Sequence, residues 1–213
     1  MAVSTGKFYD DLAPLYHLIY QDWDASIARQ ARILDEVIQE RFPGIQTILD
    51  AACGIGTQAL GLAALGYEVS GSDLSSVSIS RAGKEAKSRD LQVDFRVGDM
   101  RNLGAIWKQD FDVVLACDNA IPHLLSDAEI LAALGELYKR VKPGGGCVIS
   151  MRDYEHEERS GTQIKPYGVR QADGVRYLLW QVWEFSGDIY NVDFYFVEDR
   201  GGSQCKIHVM RDR

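Results

Sequence analysis

At 213 residues, with 46% hydrophobic and 25% charged positions, the chain is long enough to bury one sizeable core and leaves little beyond it for a second. A net charge of −8, with no basic run longer than a residue or two, argues against a sequence-independent grip on nucleic acid, which needs clustered Lys and Arg. No run of about eighteen apolar residues is present to span a bilayer, and the start "MAVSTGKFYDD" lacks the apolar centre of a signal peptide, so a cytoplasmic protein without a membrane partner is expected.

In chain order, the tyrosine-rich "FYDDLAPLYHLIY" comes first, followed by "DWDASIARQARILDEVIQERFPG". The second stretch predicts an amphipathic helix with Ile27, Ile33, Leu34, Val37 and Ile38 on its inner side and a Pro-Gly stop. From 47 to 153 short apolar runs alternate with helical patterns. "TILDAAC", "YEVSGSD", "VDFRVGD", "FDVVLACDN" and "GCVISMRD" read as five strands, and "TQALGLAALG", "SVSISRAGKEAKSR" and "DAEILAALGELYKRVKPGGG" as helices between them. Such alternation implies right-handed crossovers and a mostly parallel sheet covered on both faces, a doubly wound α/β fold.

After 153 the periodicity changes. "RYLLWQVWEFSGDIYNVDFYFVEDRGGSQCKIHVMRD" carries three β-rich runs separated by "SGD" and "DRGG", which predicts an antiparallel β meander. The whole reads as a single domain, 1–213, with an N-terminal aromatic cover and helix over 1–46, an α/β core over 47–153 and a β elaboration over 154–213.

Cys53, Cys117, Cys147 and Cys205 are scattered without a C-x-x-C pair, and His17, His123, His156 and His208 show no ligand spacing, so no metal site is expected. In open α/β sheets ligands bind outside the carboxyl ends of the strands, which draws attention to "DAACGIG" at 50–56. Gly54 and Gly56 permit a sharp turn and close approach of a ligand, although a lone G-x-G is equally a structural turn. Asp73 closes the second strand, where an acid accepts hydrogen bonds from both hydroxyls of a ribose. Asp99 ends the third strand beside Met100, a pairing suited to adenine, with the carboxylate accepting from the exocyclic amine and the thioether covering a ring face. Ala59 stands where the dinucleotide fingerprint needs its third glycine, which disfavours a pyrophosphate. Acids after the first three strands describe an adenosine site without a phosphate cradle.

On these residues the chain resembles the class I S-adenosylmethionine-dependent methyltransferases, with Ala52 in place of the first glycine of their usual motif. "QDWDASIARQAR", then "CDNAIPHLL" and "MRDYE" after the fourth and fifth strands, resemble the glycine and glycine/sarcosine N-methyltransferases more closely. The resemblance implies a Rossmann-like fold and S-adenosyl-L-methionine as cofactor. It implies cofactor contacts from Tyr16, Trp23 and Arg32, from Ala52, Gly54, Gly56, Asp73 and Leu74, and from Asp99, Met100 and Cys117. Tyr20, Asn119 and Arg152 are the implied acceptor-binding residues, the last two also acting in catalysis.

The implied activity is methyl transfer to a small molecule, N-methylation of a small amine or an amino acid such as glycine or sarcosine. O- or C-methylation of another metabolite, a nicotinamide-dependent dehydrogenase and a non-catalytic cofactor-binding protein are the alternatives. An Arg at a strand's carboxyl end suits an amino acid, because it holds a carboxylate through two parallel bonds and leaves the amine free. Asp118 and His123 lie near, and neither stands out as a base.

Tyr9, Tyr16 and Tyr20 fit either a water-excluding cover or ordinary packing, and the aromatic meander (Trp180, Trp183, Tyr190, Phe194, Tyr195) fits either a second half of that cover or an oligomer contact. The related enzymes continue with a helix and a hairpin beside the fifth strand. Either this chain is cut short, or the meander covers that edge, or a partner subunit of a homo-oligomer does.

Overall fold

The structure, a computed structural model, describes residues 5–212 and divides them into two compact units, one of residues 22–152 and one of residues 5–21 with 153–212. In the first unit a long helix, α2 (Trp23–Arg41), precedes a parallel sheet of β1 (Thr47–Asp50), β2 (Glu68–Asp73), β3 (Val93–Val97), β4 (Phe111–Ala116) and β5 (Val141–Ile149). Helices α3 (Thr57–Ala64), α4 (Ser76–Ser88), α5 (Leu103–Ile106) and α6 (Asp127–Lys139) connect the strands. The sheet order is β3-β2-β1-β4-β5 with every pair parallel, so strand order reverses between β1 and β4, where such folds bind ligands. The expected doubly wound architecture is present.

Side chains alternate across the sheet and both faces are buried. Ile48, Val113 and Leu115 pack with Leu34, Ile38 and Leu62 on one face, and Leu49, Val114 and Ala116 pack with Leu103, Trp107 and Leu137 on the other.

Local sequence sets the helix ends. Asp22 caps α2 by accepting from the Ala25 amide at 2.9 Å, and Ser126 caps α6 by accepting from the Glu129 amide at 3.3 Å. Each such cap satisfies a donor that the helix leaves without an internal partner.

The buried stripe of α2 is Ile27, Ala31, Leu34 and Ile38, whereas Ile33 and Val37, expected inside, are 50% and 39% exposed. The cause is a close approach of α2 and α3. A Cβ on Gly61 would lie 2.6 Å from the Ala31 Cβ and 2.8 Å from the Ile27 carbonyl oxygen, so the helix turns its small-residue stripe inward and its two larger branched residues outward. Strand β5 also begins earlier than expected, since "VKPGG" is strand and α6 stops at Lys139.

In the second unit, β6 (Thr162–Ala172), β7 (Val175–Ser186), β8 (Ile189–Asp199) and β9 (Lys206–Asp212) form a separate antiparallel sheet in that order. Three strands were expected. Strand β6 escapes the sequence pattern because Pro166 and Gly168 interrupt it, and it tolerates them as an edge strand with a register shift between those residues. Two-residue turns at Asp173–Gly174 and Gly187–Asp188 link the first three strands. Leu179, Phe194, Phe196 and Met210 on one face pack against Phe8 and Leu12 of α1 (Thr5–Leu12) and against Leu18. The tyrosine-rich N-terminal segment thus belongs to this sheet. Among the described residues no helix is long and apolar enough to cross a membrane.

Candidate active site

The carboxyl ends of β1, β2 and β4 converge at the strand-order reversal. After β1, Gly54 and Gly56 adopt φ of 52° and 94°, left-handed values that L side chains rarely take, and Gly56 opens α3 as its N-cap. A Cβ on Gly54 would meet no atom within 4 Å, so the glycine borders open space. Ala52, half-buried, lies in the same turn.

Asp73, at the end of β2, accepts from the Gly54 amide at 2.9 Å through Oδ2 and from the Ser75 amide at 2.8 Å through Oδ1. These two bonds aim the carboxylate across the turn, and each oxygen of a carboxylate can accept more than one hydrogen bond. Leu74 beside it is 46% exposed, an apolar side chain held at the surface.

Asp50 ends β1 and is 1% exposed, and neither of its carboxyl oxygens has a hydrogen-bond partner. Burial, more than any other influence, raises its pKa to about 7. The Ala52 and Ala59 amides face it and pull the other way without reaching hydrogen-bond geometry, while Asp73 and Asp118 add repulsion. Three acids therefore surround the first turn. The nearby thiols stay protonated at neutral pH, because burial, reinforced by Asp50, pushes Cys117 up to about 12 and Cys53 well above its usual range. Cys117 is a buried wall at the end of β4.

Asp99 is engaged differently from the sequence expectation. Burial raises its pKa, but Arg101 more than offsets this and holds the carboxylate below its usual range. Arg101 donates to Asp99 from its backbone amide at 2.8 Å, from Nε at 3.0 Å and from Nη2 at 2.6 Å, and also pairs with Glu129. With both Asp99 oxygens in that fork, an adenine amine would have to compete with a bidentate guanidinium. Met100, half-buried, begins the short 3-10 turn that Asp99 caps.

Trp23 lies at the junction of α2, α3 and α4, where its indole N–H donates to Thr57 Oγ1 at 2.9 Å. The Arg81 and Arg89 guanidinium carbons stand 5.3 and 5.1 Å from its ring centre. Arg32 is exposed on α2. Tyr16 and Tyr20, both half-buried, lie in the second unit with ring centres 6.4 Å apart.

The loops after β4 and β5 form an open cleft of about 340 Å³ lined by Asp118, Asn119, Ser150, Met151 and Arg152. Asp118 and Asn119 have consecutive left-handed φ values of 55° and 71°. Two such non-glycine residues in a row need outside support. Here the Asp118 amide donates to Ser150 Oγ at 3.0 Å and the Asn119 amide to the Ser150 carbonyl at 3.1 Å. Asn119 Oδ1 in turn accepts from the Arg152 backbone amide at 3.1 Å, so one loop fixes the other. The structure thus brings Asn119 and Arg152 together as the sequence implied. Ser150 carries no signal in the sequence, whereas Asp118 lies near the implied acceptor site and Asp50 is the first of the three acids read there as an adenosine site.

Residues 48–145 match a family described as a methyltransferase domain. This match agrees with the resemblance to the class I S-adenosylmethionine-dependent methyltransferases. Similar proteins include a glycine/sarcosine N-methyltransferase of Parasynechococcus marenigrum (strain WH8102), 26% identical over 68% of this chain and 50% of the relative. A dTDP-3-amino-3,6-dideoxy-alpha-D-glucopyranose N,N-dimethyltransferase of Streptomyces fradiae is 30% identical over 65% of this chain and 52% of the relative. The chain spans about half the length of these curated relatives. A solved S-adenosylmethionine-dependent methyltransferase from Clostridium acetobutylicum ATCC 824 shares the fold, with a TM-score of 0.73 over 97% of this chain and 79% of that one at 20% identity.

The site fits S-adenosylmethionine, the cofactor that the sequence resemblance implies, on three counts. Gly54 leaves open space where a side chain would stand. Asp73 offers acceptors beside it. Asp50 supplies unpartnered buried oxygens where a cation would be welcome.

Proposed function

We propose that this methyltransferase N-methylates a small acceptor that carries an anionic group, an amino acid such as glycine or sarcosine. The observation that carries the reading is the cleft after β4 and β5, which Arg152 and Asp118 line beside a braced Asn119–Ser150 loop. A cation and an anion in one cleft suit an acceptor that arrives with a carboxylate and an ammonium. Arg152 holds the carboxylate through its planar fork. Asp118 receives the ammonium, and the exposed mouth of the cleft gives its proton a route to water before the nitrogen lone pair is used. The glycine/sarcosine and amino-sugar names of the relatives, both N-methyltransferases, favour nitrogen as the acceptor atom.

Bound S-adenosylmethionine supplies an electrophilic methyl group on a sulfonium. The chain's own contribution is position, because alignment of two reactants supplies much of the acceleration in such displacements. In this reading Asp73 holds the ribose hydroxyls, Gly54, Gly56 and Ala52 let the cofactor lie close to the backbone, and Leu74 and Met100 flank the base. Trp23 acts through Thr57 at the start of α3.

The test is a methyl-labelled cofactor offered with glycine, sarcosine, glycinamide and a nucleotide-linked amino sugar. Label on the nitrogen of glycine or sarcosine, with glycinamide a much poorer acceptor, is the expected result. Transfer to the amino sugar alone, or only to oxygen or carbon of another acceptor, overturns the amino-acid assignment.

A further inference from the structure

Successive residues of a strand point to opposite faces. In the β6–β9 sheet one set packs against Phe8, Leu12 and Leu18. The other set is also apolar at its centre. Val169, Leu178, Val197 and Ile207, one from each strand, stand directly opposite one another in the register and form a row across the whole sheet. Val169 is 54% exposed, Leu178 37% and Ile207 60%. The next row on this face centres on Trp180 and Tyr195, whose rings stack 5.1 Å apart at 6°. An exposed apolar face of this kind marks an interaction surface.

Charged pairs bound the apolar rows at both ends. Arg176 pairs with Asp199 beyond Leu178, and Arg211 donates to Asp193 at 3.0 Å beyond Tyr195. We infer that this face is the interface of a two-fold dimer of this chain. Two arguments select a second copy over other occupants.

The first is charge. The chain carries −8 overall, yet each rim of this face holds both signs, Arg176 with Asp199 at one end and Arg211 with Asp193 and Glu184 at the other. A strongly charged partner or an anionic membrane would find no net attraction there, whereas a copy related by two-fold rotation brings both signs to both signs.

The second is area. From Arg176 to Glu184 the face runs roughly 30 Å along the strands and about 19 Å across four of them, a footprint of roughly 600 Å² per copy and about 1,200 Å² over two, which reaches the size of stable interfaces. An apolar centre with aromatic rings inside a polar rim is also the usual composition of such a contact. A closed two-fold contact uses the face once in each copy and leaves no apolar face exposed.

The experiment is multi-angle light scattering and sedimentation equilibrium on the full chain at micromolar concentration. The expected mass is twice the 23.8 kDa of one chain. Leu178→Asp halves it while the far-ultraviolet circular dichroism stays that of the parent. Should that variant lose its fold, Ile207→Lys on the edge strand decides, and it too halves the mass. A parent that stays at 23.8 kDa across the micromolar range overturns the inference. So does a dimer that survives both substitutions, since it must use another surface. A monomeric parent that sediments with phospholipid vesicles makes this a lipid-facing surface and overturns it equally.

Discussion

The Gly54 amide donates to Asp73 Oδ2 at 2.9 Å, so the acid that ends β2 holds the turn that follows β1. The side chain assigned to the ribose is thus also the brace of the glycine turn. Asp73→Ala removes both roles, and cofactor affinity should fall by about 1–3 kcal/mol. Asp73→Asn keeps one acceptor oxygen and should fall between the two. Calorimetry with S-adenosylhomocysteine checks this, and an unchanged dissociation constant in a folded Asp73→Ala protein removes Asp73 from the cofactor site.

Asp50 links the site to pH. Its folded pKa of about 7 lies above the ordinary 3.8, so between those values the folded chain holds a proton that the unfolded chain has lost. The contribution of this group to stability therefore falls as pH rises through that window, and Asp50→Asn should flatten the slope. A cation bound beside it favours the ionised form. Affinity for S-adenosylmethionine should rise with pH up to about 7 and then level off, with a smaller change for S-adenosylhomocysteine, which lacks the sulfonium. Calorimetry in two buffers of different ionisation enthalpy reads the released proton. Equal observed heats in the two buffers at a pH about half a unit below 7 would contradict the linkage.

Asn119 positions Arg152 through its backbone amide, from a left-handed φ of 71°. Asn119→Gly keeps that conformation and loses the side-chain acceptor. The acceptor KM should rise by a factor corresponding to about 1 kcal/mol, with cofactor affinity unchanged. Asn119→Val adds a strained β-branched residue and should cost a further ~1–3 kcal/mol of stability. Thermal unfolding of the two variants separates the effects, and equal melting temperatures would count against strain at this position.

Asp112 ties three strands together at the opposite end of the sheet. It accepts from the Gln46 amide at 3.1 Å, the Thr47 amide at 2.8 Å, Thr47 Oγ1 at 2.7 Å and Lys142 Nζ at 3.1 Å. Burial raises its pKa, but the donors outweigh it and hold the carboxyl well below the usual range. Its stabilisation is present above the ordinary carboxylate pKa and is lost as pH falls toward the folded one. Asp112→Ala should lower stability by about 2–3 kcal/mol at neutral pH and by less in acid. Urea unfolding at both pH values tests the sign.

The parallel sheet was legible because its strands and helices keep clean periods, and the turn at Gly54 and Gly56 because only glycine enters those backbone angles cheaply. Strand β6 was hidden by Pro166 and Gly168, which read as breakers until a neighbouring strand shows an edge. Ile33 and Val37 were misplaced because the small-residue contact of Ala31 with Gly61 depends on a helix remote in sequence. The Asp99–Arg101 fork pairs neighbours whose side-chain geometry no pattern of residue types reveals. The bracing of Asn119 through Ser150 and Arg152 joins loops some thirty positions apart, and only the fold brings them together.

Steady-state kinetics of Arg152→Lys with glycine or sarcosine tests the central claim most directly. Lysine keeps the charge and loses the planar fork, so the acceptor KM should rise and kcat/KM fall while the dissociation constant of S-adenosylhomocysteine stays that of the parent. A variant that methylates its best acceptor as well as the parent, or a best acceptor with no anionic group, would contradict the carboxylate clamp.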